Sequence, residues 1–344
     1  MEKRVLIERW LGSSPNVLPI YDEASVSAAR QRVREAGSAL NLSKDLVESV
    51  ALIASELTHN QLAYSKQGYF AVKTVDRMGV KGLEVVAADI GPGVDQPIFS
   101  GNREVRSKRG LGAGLKSVFN LADEVEIDNR VAEGLCLIAR KFESPAAPQC
   151  EVAIIGKPYP GEGISGDDAV FFQSESEFLA AVSDGLGHGP EAREASAHSI
   201  AAITQNRHLD VGDILGAVHA KMSRTRGCAM SIVRYVAGSR TLECVSAGDI
   251  CVHLYNLRDT HFFSSTPFVM GDKNSSKRKL RVERITVQPG SVIVIFTDGL
   301  ESRTSLKEQM EMLRQPAVAI AEYLISTHSR PNDDALALVA RIKG

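Results

Sequence analysis

The chain has 344 residues, a formal net charge of −2, 44% hydrophobic residues and 24% charged residues. That apolar content excludes a chain disordered throughout, and at about 150 residues per domain the length predicts two domains or one large one. Lys plus Arg against Asp plus Glu stand at 19 to 19 over residues 1–145 and 21 to 23 over the rest, so neither half has the basic excess of a nucleic-acid-binding surface. Five cysteines (Cys136, Cys150, Cys228, Cys244, Cys251) are odd in number and form no CxxC pair. This argues for reduced thiols and against a disulfide scaffold or thiolate zinc site. The start, MEKRVLIERWLGSSPN, has no apolar run fit for a signal peptide, Trp10 reads as part of a packed terminus, and stretches such as Ser291–Phe296 have strand length. A cytoplasmic protein with no membrane contact is expected.

In chain order, apolar spacing predicts a helix over Ala24–Leu40 and a second from about Leu46 to Tyr64, with Ser43 as its capping residue. Strands are expected at Tyr69–Val75 and Leu83–Asp89, a short helix at Leu115–Leu121, and strands at Glu124–Ile127 and Leu135–Phe142. The Pro-containing segment Glu143–Gln149 reads as a linker. This divides the chain into residues 1–142, a linker over 143–150, and residues 151–344. The second half reads as strand Glu151–Ile155, helices Pro190–Gln205 and Val211–Ser223, and strands Ala229–Tyr235, Thr241–Ser246, Val252–Tyr255, Arg281–Val287 and Val292–Thr297. A helix at Ala317–Thr327 and a strand at Ala335–Ala340 close it, and Gly271–Lys279 is a solvated loop. Many strands with grouped helices predict an α/β sandwich rather than a doubly wound parallel sheet.

Three stretches of the first half carry one chemistry. Glu56 and Asn60 lie four apart and share a helix face, so they can present a carboxylate base and a carboxamide oxygen for Mg²⁺. Asp89 ends an apolar strand and is followed by Gly91 and Gly93, which lets an acceptor and open backbone meet a flat base. Gly110, Gly112 and Gly114 open a helical run, where free N–H groups can cradle phosphate. The stretches SELTHN, ADIGPGV and GLGAGLKSVFNLADEVEI, in this order over about residues 20–142, resemble the GHKL (Bergerat-fold) ATPases, in particular the RsbT-type switch kinases of bacterial stressosomes. The resemblance implies an α/β sandwich that binds ATP and Mg²⁺. In it Asn60 is the Mg²⁺ ligand, Glu56 the general base, and Asp89 with Gly91 and Gly93 the adenine contact. Gly110, Gly112 and Gly114 form the phosphate loop, and Phe99–Arg109, with Arg103, Arg106, Lys108 and Arg109, a short lid. Gly134 is followed by Leu135 where many relatives have Gly-Thr, a departure that bears on nucleotide affinity.

The second half has four acidic spots beside tight turns: Asp167-Asp168, Asp184-Gly185, Asp298-Gly299 and Asp333-Asp334. Strand ends at one rim of a sheet can bring such carboxylates together, and packed anions call for hard divalent cations. Gly185 can turn its carbonyl inward as a further ligand, and His188 reads as a hydrogen-bonded loop residue. SGD, SDGLGHGPEAREAS, TRGCAMSIVRY, SAGD, FTDGL and NDDALALV, over about residues 150–342, resemble the PPM-type metal-dependent serine/threonine phosphatases of the SpoIIE/RsbX branch. That resemblance implies an α-β-β-α sandwich holding two Mn²⁺ or Mg²⁺ through Asp167, Asp184, Gly185, Asp298 and Asp333, with Asp184 central to catalysis. Asp168 and Asp334 stand as adjacent alternates, and Asp249 reads as structural.

Together the two resemblances imply a bifunctional phosphoswitch. The first half would phosphorylate serine on STAS-domain stressosome or anti-anti-sigma proteins, and the second would hydrolyse the phosphoserine. A sigma factor or downstream regulator is a further expected partner. The alternative is a nucleotide-dependent anti-sigma or partner-binding module, without transfer activity, fused to an active phosphatase.

Overall fold

In the computed structural model, Asp22 accepts the Ser25 amide at 2.7 Å and Ser25 Oγ accepts the Asp22 amide at 3.1 Å. This reciprocal cap starts helix α1 (Glu23–Ala39). The structure describes residues 11, 17–65, 67–77, 80–89, 111–128, 135–143, 149–256, 259–272, 280–301 and 303–343. Ser43 caps helix α2 (Lys44–Tyr64) by accepting from the Leu46 amide, as its position predicted. Val26, Ala29 and Val33 of α1 and Leu46, Val50, Ile53 and Leu57 of α2 form buried stripes at helical spacing. A Cβ on Gly37 would lie 2.3 Å from Val47 Cγ2, so the absence of a side chain there sets how closely the two helices approach.

The chain divides into two compact units, one up to residue 148 and one from Gln149 onward. The first has one antiparallel sheet in the order β1-β2-β3-β5-β4: β1 (Leu18–Ile20), β2 (Gly68–Arg77), β3 (Val80–Asp89), β4 (Glu124–Asp128) and β5 (Leu135–Phe142). Helices α1 and α2 pack on this sheet. Register places Glu84 opposite both Lys73 and Arg140, and Arg140 Nε donates to Glu84 Oε2 at 2.6 Å. Opposite charges facing each other across strands help hold that register.

Helix α3 (Leu111–Leu121) begins four residues ahead of the expected Leu115. Gly112 and Gly114 therefore lie in its first turn rather than in a loop before it. Glycine lowers helix propensity without forbidding the conformation. Gly91, Gly93, Gly110, the stretch 99–109, Gly134 and Trp10 lie outside the described residues.

The second unit holds two antiparallel sheets. One runs β13-β10-β9-β8-β7, from β7 (Asp167–Gln173), β8 (Glu177–Gly185), β9 (Cys228–Val236), β10 (Thr241–Ala247) and β13 (Glu283–Thr286). The other runs β12-β11-β14-β15-β6, from β6 (Cys150–Lys157), β11 (Cys251–Tyr255), β12 (Thr260–Phe262), β14 (Val292–Phe296) and β15 (Ala335–Ile342). Phe178, Ala180 and Val182 of β8 join Val152, Ile154, Ile293, Ile295, Leu336 and Leu338 in a core between the sheets. The alternating residues Leu179 and Ala181 instead join Ile203 of α4 (Gly189–Asn206) and Ile214, Leu215 and Val218 of α5 (Val211–Lys221). Helix α6 (Ala317–His328) covers β6 and β15. The result is the expected α-β-β-α sandwich, and strands buried on both faces read as continuous apolar runs. Strand β8 was expected only as a strand-like run ending at Asp184, and strands β1, β7 and β12 were not among the expected elements. The last three differ from the rest in position. They are edge strands, with polar or charged positions in two of the three and only three residues in β1 and β12.

Candidate functional site

The acidic pairs of the second unit lie at strand ends or just beyond them, with Asp298 and Gly299 in the turn that follows β14. Asp167 and Asp168 begin β7, Asp184 and Gly185 end β8, and Asp167 stands directly opposite Asp184 in the register. Asp298 follows β14 after Thr297, and Asp333 and Asp334 precede β15. Thr297 ties the two sheets together at this rim: its Oγ1 donates to Asp167 Oδ2 at 2.8 Å and accepts the Leu336 amide at 2.9 Å.

Neighbouring aspartates have different partners because successive strand side chains point to opposite faces. Asp168 takes the Arg193 guanidinium of α4 at 2.7 Å. Asp167, 1% exposed, faces the other sheet at Thr297. Asp334 Oδ1 accepts the Tyr159 amide at 2.6 Å, while its Oδ2 is buried with no hydrogen bond of good geometry, the Gly166 backbone lying close. Asp333 is half-buried.

Electrostatics link the four aspartates. Burial pushes the Asp167 carboxyl well above the usual range, and Asp334, Asp298 and Asp333 push it further against the lowering effect of Thr297. Burial also raises Asp184, reinforced by Asp167, by Asp298 as charge and as hydrogen-bond partner, and by Asp333. Burial raises Asp333, with Asp298 adding to it and Arg330 opposing. Among the described residues, no three His, Cys, Asp or Glu side chains are gathered tightly enough to hold a metal ion as they stand. An all-oxygen donor set of buried, mutually repelling carboxylates fits hard divalent cations.

Two glycines shape this rim sterically. A Cβ at position 185 would lie 1.9 Å from the Ala192 carbonyl oxygen of α4, and one at 299 would lie 1.7 Å from the Asp334 carbonyl oxygen. Each Asp-Gly pair thus allows a neighbouring backbone to press against the acidic residue's own segment. His188 precedes α4, and its Nδ1 lies 2.9 Å from Glu162 Oε1 while its ring stacks on Tyr159 at 4.2 Å. It is a tethered loop residue. Arg193 and Tyr159 were not singled out from the sequence, and Thr297 and Gly299 stood out only as neighbours of Asp298, since only the register and the sheet packing reveal their contacts.

In the first unit, Glu56 and Asn60 lie one turn apart on α2, both half-buried at the border of its buried stripe. His59 points to Glu23, with Nε2 3.2 Å from Oε2. Gln61 is buried, and its Nε2 donates to the Tyr69 carbonyl at 3.0 Å and the Ala88 carbonyl at 2.9 Å. These bonds pin the last turn of α2 to the strand ends that carry Gly68 and Asp89, which are register partners. The last turn of α2, which carries Asn60 and Gln61, and Asp89 therefore meet at one end of the sheet. The first-turn amides of α3, at Leu111–Ala113, lack intrahelical partners by geometry and suit an anion.

The described residues thus form a carboxylate rim between two sheets in the second unit and, in the first, a helix end meeting a strand-end aspartate. The family model described as Stage II sporulation protein E (SpoIIE) matches residues 174–343, and that described as Histidine kinase-like ATPase domain matches residues 21–141. The chain belongs to the histidine kinase-like ATPase family through its first unit, akin to RsbT, and this is fused to a domain similar to the SpoIIE-type PPM phosphatases, among them RsbX. The serine/threonine-protein kinase RsbT of Bacillus subtilis (strain 168) is 31% identical over 123 residues, 36% of this chain and 92% of that protein. The phosphoserine phosphatase RsbX of the same organism is 28% identical over 151 residues, 43% of this chain and 75% of that protein. A chain solved in work on "The bacterial stressosome: a modular system that has been adapted to control secondary messenger signaling" shares the fold, with TM-score 0.53 and 24% identity over 56% of this chain and 99% of its own. Among the described residues no helix is long and apolar enough to cross a membrane.

Proposed function

We propose that this chain is a cytoplasmic phosphoswitch that phosphorylates serine on STAS-domain partner proteins through its first unit and removes the phosphate through its second. The observation that carries the reading is the electrostatic linkage of Asp167, Asp184, Asp298 and Asp333 at a rim where two sheets are tied by Thr297. The likeness to the kinase RsbT and the phosphatase RsbX supports the opposed activities, and the fold shared with the chain from the stressosome work fits that setting. In this reading Asp167, Asp184, Asp298, Asp333 and the Gly185 carbonyl hold two Mn²⁺ or Mg²⁺. Asp168 and Asp334 are structural, being engaged by Arg193 and the Tyr159 amide. Ions held there would supply charge neutralisation for a phosphoryl group and a more acidic water. The protein's own task is to hold its carboxylates in place, with Thr297 fixing Asp167 and the close approach of α4 fixing Gly185.

In the first unit, ATP with Mg²⁺ is the phosphoryl donor. Asn60 supplies an oxygen to Mg²⁺, Asp89 accepts from the adenine amine, and the α3 amides meet phosphate. Glu56 orients the partner's serine hydroxyl and takes its proton as the oxygen bonds to the γ-phosphorus and ADP leaves. Such transfer depends mostly on positioning and charge neutralisation. Tethering both activities raises the second site's effective concentration near a shared substrate.

The test incubates the full chain with labelled ATP and candidate STAS proteins, beside Glu56→Ala, Asn60→Ala and Asp184→Ala. Label transfer by the wild type and its loss in the first two variants support the kinase. Tight partner binding without any label transfer supports instead a nucleotide-dependent binding module. Phosphoserine hydrolysis that persists under chelator, or in Asp184→Ala, overturns the metal-dependent phosphatase.

A further inference from the structure

Gln61 sits one residue past Asn60 and is 3% exposed. Both of its amide hydrogens are used, on the carbonyls of Tyr69 and Ala88 at 3.0 and 2.9 Å. Those bonds settle which end of the amide is which, because the flipped orientation would set Oε1 against two carbonyl oxygens. The remaining oxygen, Oε1, is buried and has no hydrogen-bond partner. A buried acceptor left unpaired is costly, so its persistence calls for a donor supplied from elsewhere.

The position of that acceptor indicates the donor. The Gln61 amide lies flat against Gly68: a Cβ there would be 2.7 Å from Gln61 Cδ and 2.9 Å from Oε1. Gly68 is the register partner of Asp89, and the bonded Ala88 precedes Asp89 in β3. An unpaired neutral acceptor thus stands at the same sheet end as the aspartate. Two acceptors suit a group with two hydrogens to give. The exocyclic amine of adenine has two, whereas guanine and hypoxanthine present a carbonyl oxygen at that ring position.

We infer that Gln61 is a specificity-determining residue for the nucleotide base, its Oε1 accepting the second amine hydrogen, directly or through one water, while Asp89 accepts the first. The inference rests on the reading of the first unit as nucleotide-binding and adds to it an adenine-selecting residue. It also accounts for Gly68, since any side chain there would displace the amide that carries the acceptor.

The test titrates the full chain calorimetrically with ATP, ITP and N6-methyl-ATP, which keeps one amine hydrogen. The wild type is expected to bind ATP about tenfold or more tighter than ITP and about fivefold tighter than N6-methyl-ATP. Gln61→Met keeps the side-chain length and removes the acceptor. It is expected to bring the ATP to N6-methyl-ATP ratio close to one, whatever happens to overall affinity. An equal loss for all three nucleotides with the ratios intact assigns Gln61 to packing alone and overturns the inference. Should Gln61→Met fail to fold, equal wild-type affinities for ATP and N6-methyl-ATP overturn it, and a clear preference for ATP upholds it. A wild type that binds none of the three refutes the nucleotide reading beneath it.

Discussion

Gly299 follows Asp298, and Gly299→Ala tests whether close backbone approach, rather than turn conformation, explains the Asp-Gly pair at this rim. The added Cβ would lie 1.7 Å from the Asp334 carbonyl oxygen, 2.7 Å from its carbonyl carbon and 2.9 Å from Ala335 Cα. Ordinary contact needs roughly 3.5 Å, so the segments must part by about 1.5–2 Å. Both sides are backbone, and β14 and β15 are paired just beyond, so neither can swing aside as a side chain would. Overpacking commonly costs 1–3 kcal/mol, and the upper end, about 3 kcal/mol, is expected here. For a unit of this size that corresponds to roughly 6–12 °C in melting temperature. The assay is calorimetry of the full chain, following the transition that moves when Mn²⁺ or chelator is added, with Mn²⁺-dependent hydrolysis as a second readout. Gly163→Ala serves as control, because nothing lies within 4 Å of its added Cβ. If Gly299→Ala melts within about 2 °C of wild type and keeps its hydrolysis, the steric argument fails.

Three further outcomes follow from the same geometry. Asp184→Asn removes a carboxyl held above its ordinary 3.8 by burial and by Asp167. A raised acid loses stability as pH rises above that value, so the metal-free variant should melt higher than the wild type, with a shallower decline between pH 4 and 7, and without activity or Mn²⁺ stabilisation. Arg193→Met strips Asp168 of its 2.7 Å guanidinium partner and should cost about 3 kcal/mol in urea denaturation. Adding Asp168→Asn should recover part of that loss, and a purely additive double mutant would refute the coupling. His253, 8% exposed, has its pKa lowered by burial to about 4, and its Nδ1 lies 3.0 Å from Tyr255 Oη, which accepts the Leu306 amide. With the folded value below the ordinary 6.5, the stability it contributes is complete above pH 6.5 and drains as pH falls through 4, by up to about 3 kcal/mol. His253→Gln should flatten that part of the stability profile, and an unchanged slope would disprove it.

Periodicity and capping residues made the helices legible before any coordinates. Ser43 and the stripe Leu46, Val50, Ile53 and Leu57 define α2 because local hydrogen bonding and burial on one face are written at short range. The chemistry-bearing residue types were legible too, since carboxylates beside glycines stand out whatever surrounds them. Strand pairing was not, because register depends on partners far apart in the chain: β6 pairs with β15 nearly two hundred positions away. The choice between Asp167 and Asp168 needed that register, because adjacent residues on a strand face opposite ways and only the neighbours decide which side holds Arg193 and which Thr297. Gln61 is the extreme case. By type it is an ordinary polar residue near a helix end, and only the docking of α2 against the strand ends turns it into a buried amide with one oxygen unanswered. Residue identity and spacing therefore decided which chemistry this chain can host, while long-range packing decided which atoms face it, because desolvation and charge proximity exist only once distant segments meet.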